Sequence, residues 1–305
     1  MGGLTSHGRY EYSPIVSRPL YDWPKGQGLA VYLALNIEHF PFAEGMGIPL
    51  ANAQPEPDVV NYSWRDYGNR VAVWRLLAEF DRLALPATVL ANTAMYDHAP
   101  AVMDAFRARG DEFVGHGITN AERQGDMSEA AERDLIIRTT ATLTAKEGHP
   151  PTGWMGPWVS QSRATPDLLS EAGYSYMMEW AADDQPIWMA TRDGGRILAI
   201  PYPRPSNDIP GLHGAGHTPR DYADILIDQF DEMLEQSRAM PLVFNLSLHP
   251  FLVGWPYRLR HIRRVLEHIA AFRDDVWLTH AGRIAAHIET LPEGIVPAPP
   301  GRATP

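Results

Sequence analysis

The chain has 305 residues, a length that suits one barrel of strand and helix units as well as two smaller domains. It contains no cysteine, which excludes a thiol nucleophile, an iron–sulfur cluster, a Cys-ligated zinc and a disulfide framework. Its net charge of −11, with no basic stripe, argues against nucleic acid as a partner. The longest apolar run, Leu29 to Leu35, is too short to cross a bilayer.

In chain order, residues 1–27 hold Tyr10, Tyr12, Pro14, Pro19, Trp23 and Pro24 without periodicity and read as an extended arm. The domain is expected over 28–291. Leu29–Ile37 is a continuous apolar run, the mark of a strand buried on both faces. Val71, Trp74, Leu77, Ala78 and Phe80 recur at helical spacing. Ala87–Ala91 predicts a second strand, Ala99–Arg109 a helix and Glu112–Val114 a third strand. Ser128 caps a helix running to about Lys146, with Glu129 and Glu132 in its first turn. Thr165-Pro166 opens and Gly173 closes the next helix, and Tyr174–Met178 predicts a strand after it.

The regular pattern then breaks between Trp180 and Thr218. That stretch carries Asp183-Asp184, a hairpin-like turn over Arg192–Arg196 and the Pro-rich YPRPSNDIP, and reads as a functional loop or an oligomer contact. Thr218-Pro219 restarts the pattern with a helix over Tyr222–Ser237. Strand Leu242–Leu248, a helix near Arg258–Phe272, strand Val276–Leu278 and a last helix to His287 follow. Residues 292–305 form a Pro-rich tail. Strand–helix alternation at this length predicts a single α/β domain, either a barrel or a doubly wound sheet.

In such sheets reactive groups gather where strands end. The first strand ends in Asn36-Ile37-Glu38-His39, the second in Asn92-Thr93 and the third in Gly115-His116-Gly117-Ile118-Thr119-Asn120. The late strand Leu242–Leu248 ends in His249-Pro250. Three of the twelve histidines and one glutamate therefore converge on one face. The alternative for Glu38 is a plain ion pair with an arginine such as Arg65. Trp158, Trp180 and Trp255 fall just past strand ends or in the adjoining loops, where they would wall a pocket for a flat small molecule or, equally, stack on sugar rings, and Asp184 would meet ring N–H groups.

These motifs resemble the polysaccharide deacetylase (NodB-like) family, over roughly Leu29 to His287. Asn36-Ile37-Glu38-His39-Phe40-Pro41 takes the place of Thr-Phe-Asp-Asp-Gly-Pro, and His116-Gly-Ile-Thr-Asn120 that of His-Ser/Thr-x-x-His. Met155-Gly156-Pro157 stands at the Arg-x-Pro motif and Leu246-Ser-Leu248-His249 at Leu-x-His. Gly254-Trp255-Pro256-Tyr257-Arg258 is similar to the segment after the late histidine in the allantoinase-like, cyclic-amide hydrolase branch. The resemblance implies a distorted (β/α) barrel of the NodB deacetylase type. Carried over residue by residue, it makes Glu38 the general base and puts one divalent metal, most naturally zinc, on His39, His116 and the position of Asn120. Asparagine is a poor zinc ligand and the orienting arginine is replaced by Met155, so a metal-free site stays open beside it.

The chemistry expected in either case is hydrolysis of a non-peptide, amide-type C–N bond in a small substrate, a cyclic imide or ureide. Glu38 would activate water, with burial near Phe40 and the tryptophans raising its pKa, and His249 would protonate the leaving nitrogen. His116 and Asn120 would hold the oxyanion. The alternatives are a metal-dependent carbohydrate N-deacetylase and a catalytically silent ligand-binding relative. The acidic surface and the arm suit a homo-oligomer, a dimer or tetramer. No charged-then-apolar segment opens the chain, so a cytoplasmic location is expected.

Overall fold

The computed structural model describes residues 6–44, 47, 49–52, 54–297 and 299. The first five residues of the expected arm, and residues 298 and 300–305 of the expected tail, lie outside them.

Strand β1 (Leu29–Ile37) is buried along its whole length, as an unbroken apolar run requires. One edge of β1 pairs in parallel with β8 (Leu242–Leu248), in register from Leu29↔Leu242 to Leu35↔Leu248. Its other edge is shared. The first half meets β9 (Trp277–Thr279) and the second half meets β2 (Thr88–Ala91). From β2 the sheet continues in parallel through β3 (Glu112–Gly115), β4 (Gly153–Trp154), β5 (Tyr176–Met177) and β7 (Arg196–Ala199). It ends on the antiparallel β6 (Ile187–Ala190). The result is a single α/β sheet curled into a distorted half-barrel with helices packed on it.

The helices are α1 (Val59–Tyr67), α2 (Val73–Leu83), α3 (Met95–His98), α4 (Pro100–Arg109), α5 (Glu129–Glu147) and α6 (Thr165–Glu171). They continue with α7 (Pro219–Gln236), α8 (Pro250–Val253), α9 (Pro256–Ala271) and α10 (Ala281–Thr290). Ser128 and Thr218 cap α5 and α7, their side chains accepting from the N–H groups of Ala131 and Asp221. The core joins the β1–β8 ladder to α2, α7 and α9 through Leu33, Leu35, Phe80, Phe230, Phe244 and Leu266.

Two departures from the sequence pattern bear on the site. The helical spacing at Val71–Phe80 belongs to a longer run, in which α1 and α2 are joined through a π-helical turn, Gly68–Ala72. The stretch 181–217 is more regular than its composition suggests. It contains the β6–β7 hairpin, turning over Thr191–Gly195, and a second π-helical turn at Ile209–Gly214. Asn207 bridges in parallel to Ser247, so this segment runs beside the far edge of β8.

Candidate active site

The ends of β1, β3 and β8 surround a cavity of about 160 Å³ lined by Glu38, His116, Asn120 and His249, with Asn36, Arg65 and Tyr202. Side chains alternate along a strand, so Asn36 and Glu38 enter it from one face of β1 while His39 turns away. Asn92, at the end of β2, ties the neighbouring strands: its carbonyl accepts from His39 N at 2.9 Å and its amide donates to the His116 carbonyl. The first π turn closes on Glu38, as Asn69 Nδ2 donates to the Glu38 carbonyl at 2.8 Å. Gly68 in that turn has no room for a side chain, since a Cβ there would lie 2.7 Å from that of Phe251. A π turn inside a helix is a frequent mark of a functional site.

The centre is a chain of charged contacts. Asp208 Oδ1 accepts from His249 Nδ1 at 2.6 Å, and Asp208 Oδ2 accepts from the His249 backbone N–H at 2.7 Å. His249 Nε2 lies 3.8 Å from Glu38 Oε1, and His116 Nε2 lies 3.3 Å from the same oxygen. His116 Nδ1 is 2.5 Å from the Met155 carbonyl, which can only accept, so Nδ1 carries a proton. All four side chains are buried.

Burial alone would raise the Glu38 carboxyl. His249, a hydrogen bond from His116 and the Arg65 guanidinium outweigh it and hold the group below its ordinary value. This corrects the expectation that burial raises Glu38. Arg65 thus belongs to the site electrostatically as well as to helix α1, where its Nη1 donates to the Asn61 carbonyl at 3.1 Å. For His249 burial acts to lower the pKa, but Asp208 and Glu38 raise it above the ordinary imidazole value. The geometry therefore sets an ionised carboxylate beside an imidazole that holds its proton more tightly than usual, a base and an acid side by side.

The remaining expected site residues divide. Trp158 lines the cavity, donates from Nε1 to the Asn120 carbonyl at 2.9 Å and lies under the Arg123 guanidinium at 4.0 Å. Asn120 keeps Oδ1 buried with no hydrogen-bond partner among the described residues. Trp180 instead packs against His7 and Tyr10 of the arm, with ring centres 5.2 and 5.7 Å away. Trp255 stacks on Tyr67 at 4.1 Å and donates from Nε1 to the Phe251 carbonyl. Asp184 is exposed beside Asp183, and its carbonyl accepts from Val243 N. None of these three lines the cavity; its aromatic wall is Phe40, Trp158, Tyr202 and Phe251.

His39 and His116 are also separated. The His39 ring packs at 4.3 Å on that of His98, in a narrow cleft with Asp66 on the other side of Glu38. Among the described residues no group of three or more His, Asp or Glu side chains is arranged to hold a metal ion. His116, the carboxylate of Glu38 and an asparagine amide make a weak set for zinc, so the residues present do not fit the metal that the motifs imply.

Two positions went unnoticed in the sequence. Asp208 lies in the Pro-rich YPRPSNDIP of the irregular stretch, where an acid next to a turn has no distinguishing signal. Glu179 lies two residues past β5, with its carboxyl pushed up to about 7 by burial. It accepts from Gly156 N at 2.7 Å and Met178 N at 3.0 Å, bracing the step that presents the Met155 carbonyl to His116.

No family model matches the chain. Its structure is similar to that of the Puue allantoinase, 28% identical, with a TM-score of 0.80 over 91% of this chain and 97% of that one. It is also similar to a probable polysaccharide deacetylase of Pseudomonas aeruginosa PAO1, 28% identical, with a TM-score of 0.78 over 90% and 97% of the two chains. A curated relative, the peptidoglycan deacetylase of Helicobacter pylori, is 24% identical over 70% of this chain and 82% of its own length. The chain is thus similar, over nine-tenths of its length, to structures of the NodB-like polysaccharide deacetylase superfamily. It is accordingly a hydrolase of carbon–nitrogen bonds other than peptide bonds. No described helix is long and apolar enough to cross a membrane.

Proposed function

We propose that this NodB-type hydrolase opens an amide-type C–N bond in a small cyclic imide or ureide, with Glu38 as general base and His249 as general acid. The observation that carries the reading is one carboxylate oxygen, Glu38 Oε1, within 3.3 Å of His116 and 3.8 Å of His249, while Asp208 holds the far side of His249 at 2.6 Å. Glu38 takes a proton from water as the hydroxide adds to the substrate carbonyl carbon. The oxyanion is received by the side-chain amide N–H of Asn120, beside His116. His249 gives its Nε2 proton to the leaving nitrogen as the C–N bond breaks, and the proton on Glu38 crosses back to His249. A cavity of about 160 Å³ accommodates on the order of ten water-sized centres, the scale of one heterocycle. The likeness to an allantoinase structure supports the same substrate class.

The names of other relatives favour a second reading, a carbohydrate N-deacetylase. The donor set around Glu38 speaks against its metal-dependent form. Turnover of cyclic ureides, cyclic imides and N-acetyl sugars by purified protein, before and after chelation, tests both. Ureide or imide hydrolysis that survives chelation supports the first reading; N-acetyl sugar hydrolysis abolished by chelation overturns it. Ligand binding without turnover, in wild type and in Glu38→Ala alike, would reveal a silent relative.

A further inference from the structure

The chain carries 37 acidic residues against 26 lysines and arginines, yet its active-site cavity has the opposite balance. Among the described residues Glu38 is the one carboxylate of the lining, against Arg65, Arg204 and the histidines 116, 213 and 249. The buried charges answer one another. Glu38 lies among Arg65, His116 and His249, and Asp208 holds His249 from behind. Arg204 stands apart, exposed at the mouth of the cavity, and its guanidinium has no hydrogen bond or ion pair with any described residue.

The backbone around Arg204 is built for position. Pro203 and Pro205 flank it and restrict its φ/ψ freedom and that of its neighbours. Its carbonyl accepts from Asn207 N at 3.2 Å. Ser206, two residues on, accepts from Ser247 N of β8 at 3.0 Å, and Asp208 two residues later grips His249. One short segment, tied to β8 and to the residue just after it, therefore sets the general acid and places at the entrance a guanidinium that no described residue pairs. A guanidinium fork matches a carboxylate, which it can hold through two parallel N–H bonds.

We infer that the substrate carries a carboxylate beside the scissile ureide or imide group, and that Arg204 receives it at the cavity mouth. The inference rests on the amidohydrolase reading above and narrows it from neutral heterocycles to acidic ones. Arg204 is a specificity residue, with no part in the bond-breaking steps.

The test compares 5-carboxymethylhydantoin with its neutral carboxamide, 5-carbamoylmethylhydantoin, by calorimetric binding and by turnover. Wild type is expected to bind the acid about tenfold or more tighter than the amide, the scale of one charge-assisted contact, and the gap should shrink with added salt. Arg204→Gln should erase the gap while leaving affinity for the amide within about twofold, and Arg204→Lys should restore part of it. Equal binding of acid and amide by wild type, binding of neither, or an equal loss of both in Arg204→Gln overturns the inference. Failure of the underlying reading would look different: Glu38→Gln would then hydrolyse as wild type does, whatever the acid-to-amide ratio.

Discussion

Glu38 and His39 are neighbours at the end of β1, yet they enter two different clusters of titratable groups. Glu38 faces His116, His249 and Arg65 in the main cavity, while His39 faces His98 and Asp66 in the narrow cleft beside it. The clusters differ in what stands behind each imidazole. Behind His249 is a fully buried Asp208 at 2.6 Å, and its pKa is raised. His39 is pushed down by burial and by the charge of His98, against a smaller opposing effect of Asp66. One imidazole is held toward its protonated form and the other toward its neutral form. A strand end thus decides chemistry twice: by alternation, which chooses the face, and by the next element, which supplies or withholds a counter-charge.

The sharpest break between the two clusters is mutational. Glu38→Gln keeps the shape and removes the base, so kcat should fall at least about 10²-fold. His249→Gln should fall as far. His39→Gln should stay within about threefold, since its ring lies outside the proton path, and its backbone N–H and carbonyl, which contact Asn92 and Asn120, are retained. Steady-state kinetics on one ureide, with circular dichroism to check folding, separate these outcomes. A collapse in His39→Gln equal to that in Glu38→Gln would merge the clusters into one site.

Next in size is the effect of Asp208. Activity requires Glu38 ionised and His249 protonated. Because Glu38 is held below its ordinary value of 4.5 and His249 above its ordinary 6.5, the rate should form a plateau between an acid limb below 4.5 and an alkaline limb above 6.5. Asp208→Asn withdraws the main charge that raises His249. The alkaline limb should then move to lower pH, with a loss on the order of tenfold to 10²-fold at neutral pH. An unmoved alkaline limb would remove His249 as the acid.

Much of this was legible in the chain. The apolar run Leu29–Ile37 and the motif ends at Glu38, His116 and His249 carry enough local signal to place β1, β3, β8 and the residues just beyond them. The stretch 181–217 did not yield in the same way, because its order comes from contacts distant in sequence. Its segments pair with β5 and β8, and Asp208 has meaning only against His249, 41 residues on. The tryptophans misled for a related reason. Position after a strand end fixes where a Cα lies, whereas Trp180 and Trp255 are drawn to the arm and to Tyr67 by partners that periodicity does not reveal. Propensity reads local structure well and tertiary choice poorly.

A stability measurement extends the comparison to Glu179, a buried carboxyl behind the cavity wall that is raised where Glu38 is lowered. Its folded pKa of about 7 stands above the ordinary 4.5, so the folded chain binds a proton that the unfolded chain has released over that interval. The contribution is therefore complete below pH 4.5 and is lost as pH rises through 7, the reverse of the sign for Glu38, whose favourable contribution is present above 4.5 and lost on acidification. Glu179→Gln should flatten this part of the profile, and the unfolding temperature of the variant should change less between pH 5 and 8 than that of wild type. Wild type and variant with parallel profiles would mean that Glu179 is ionised in the folded state, held by the Gly156 and Met178 N–H groups strongly enough to offset its burial.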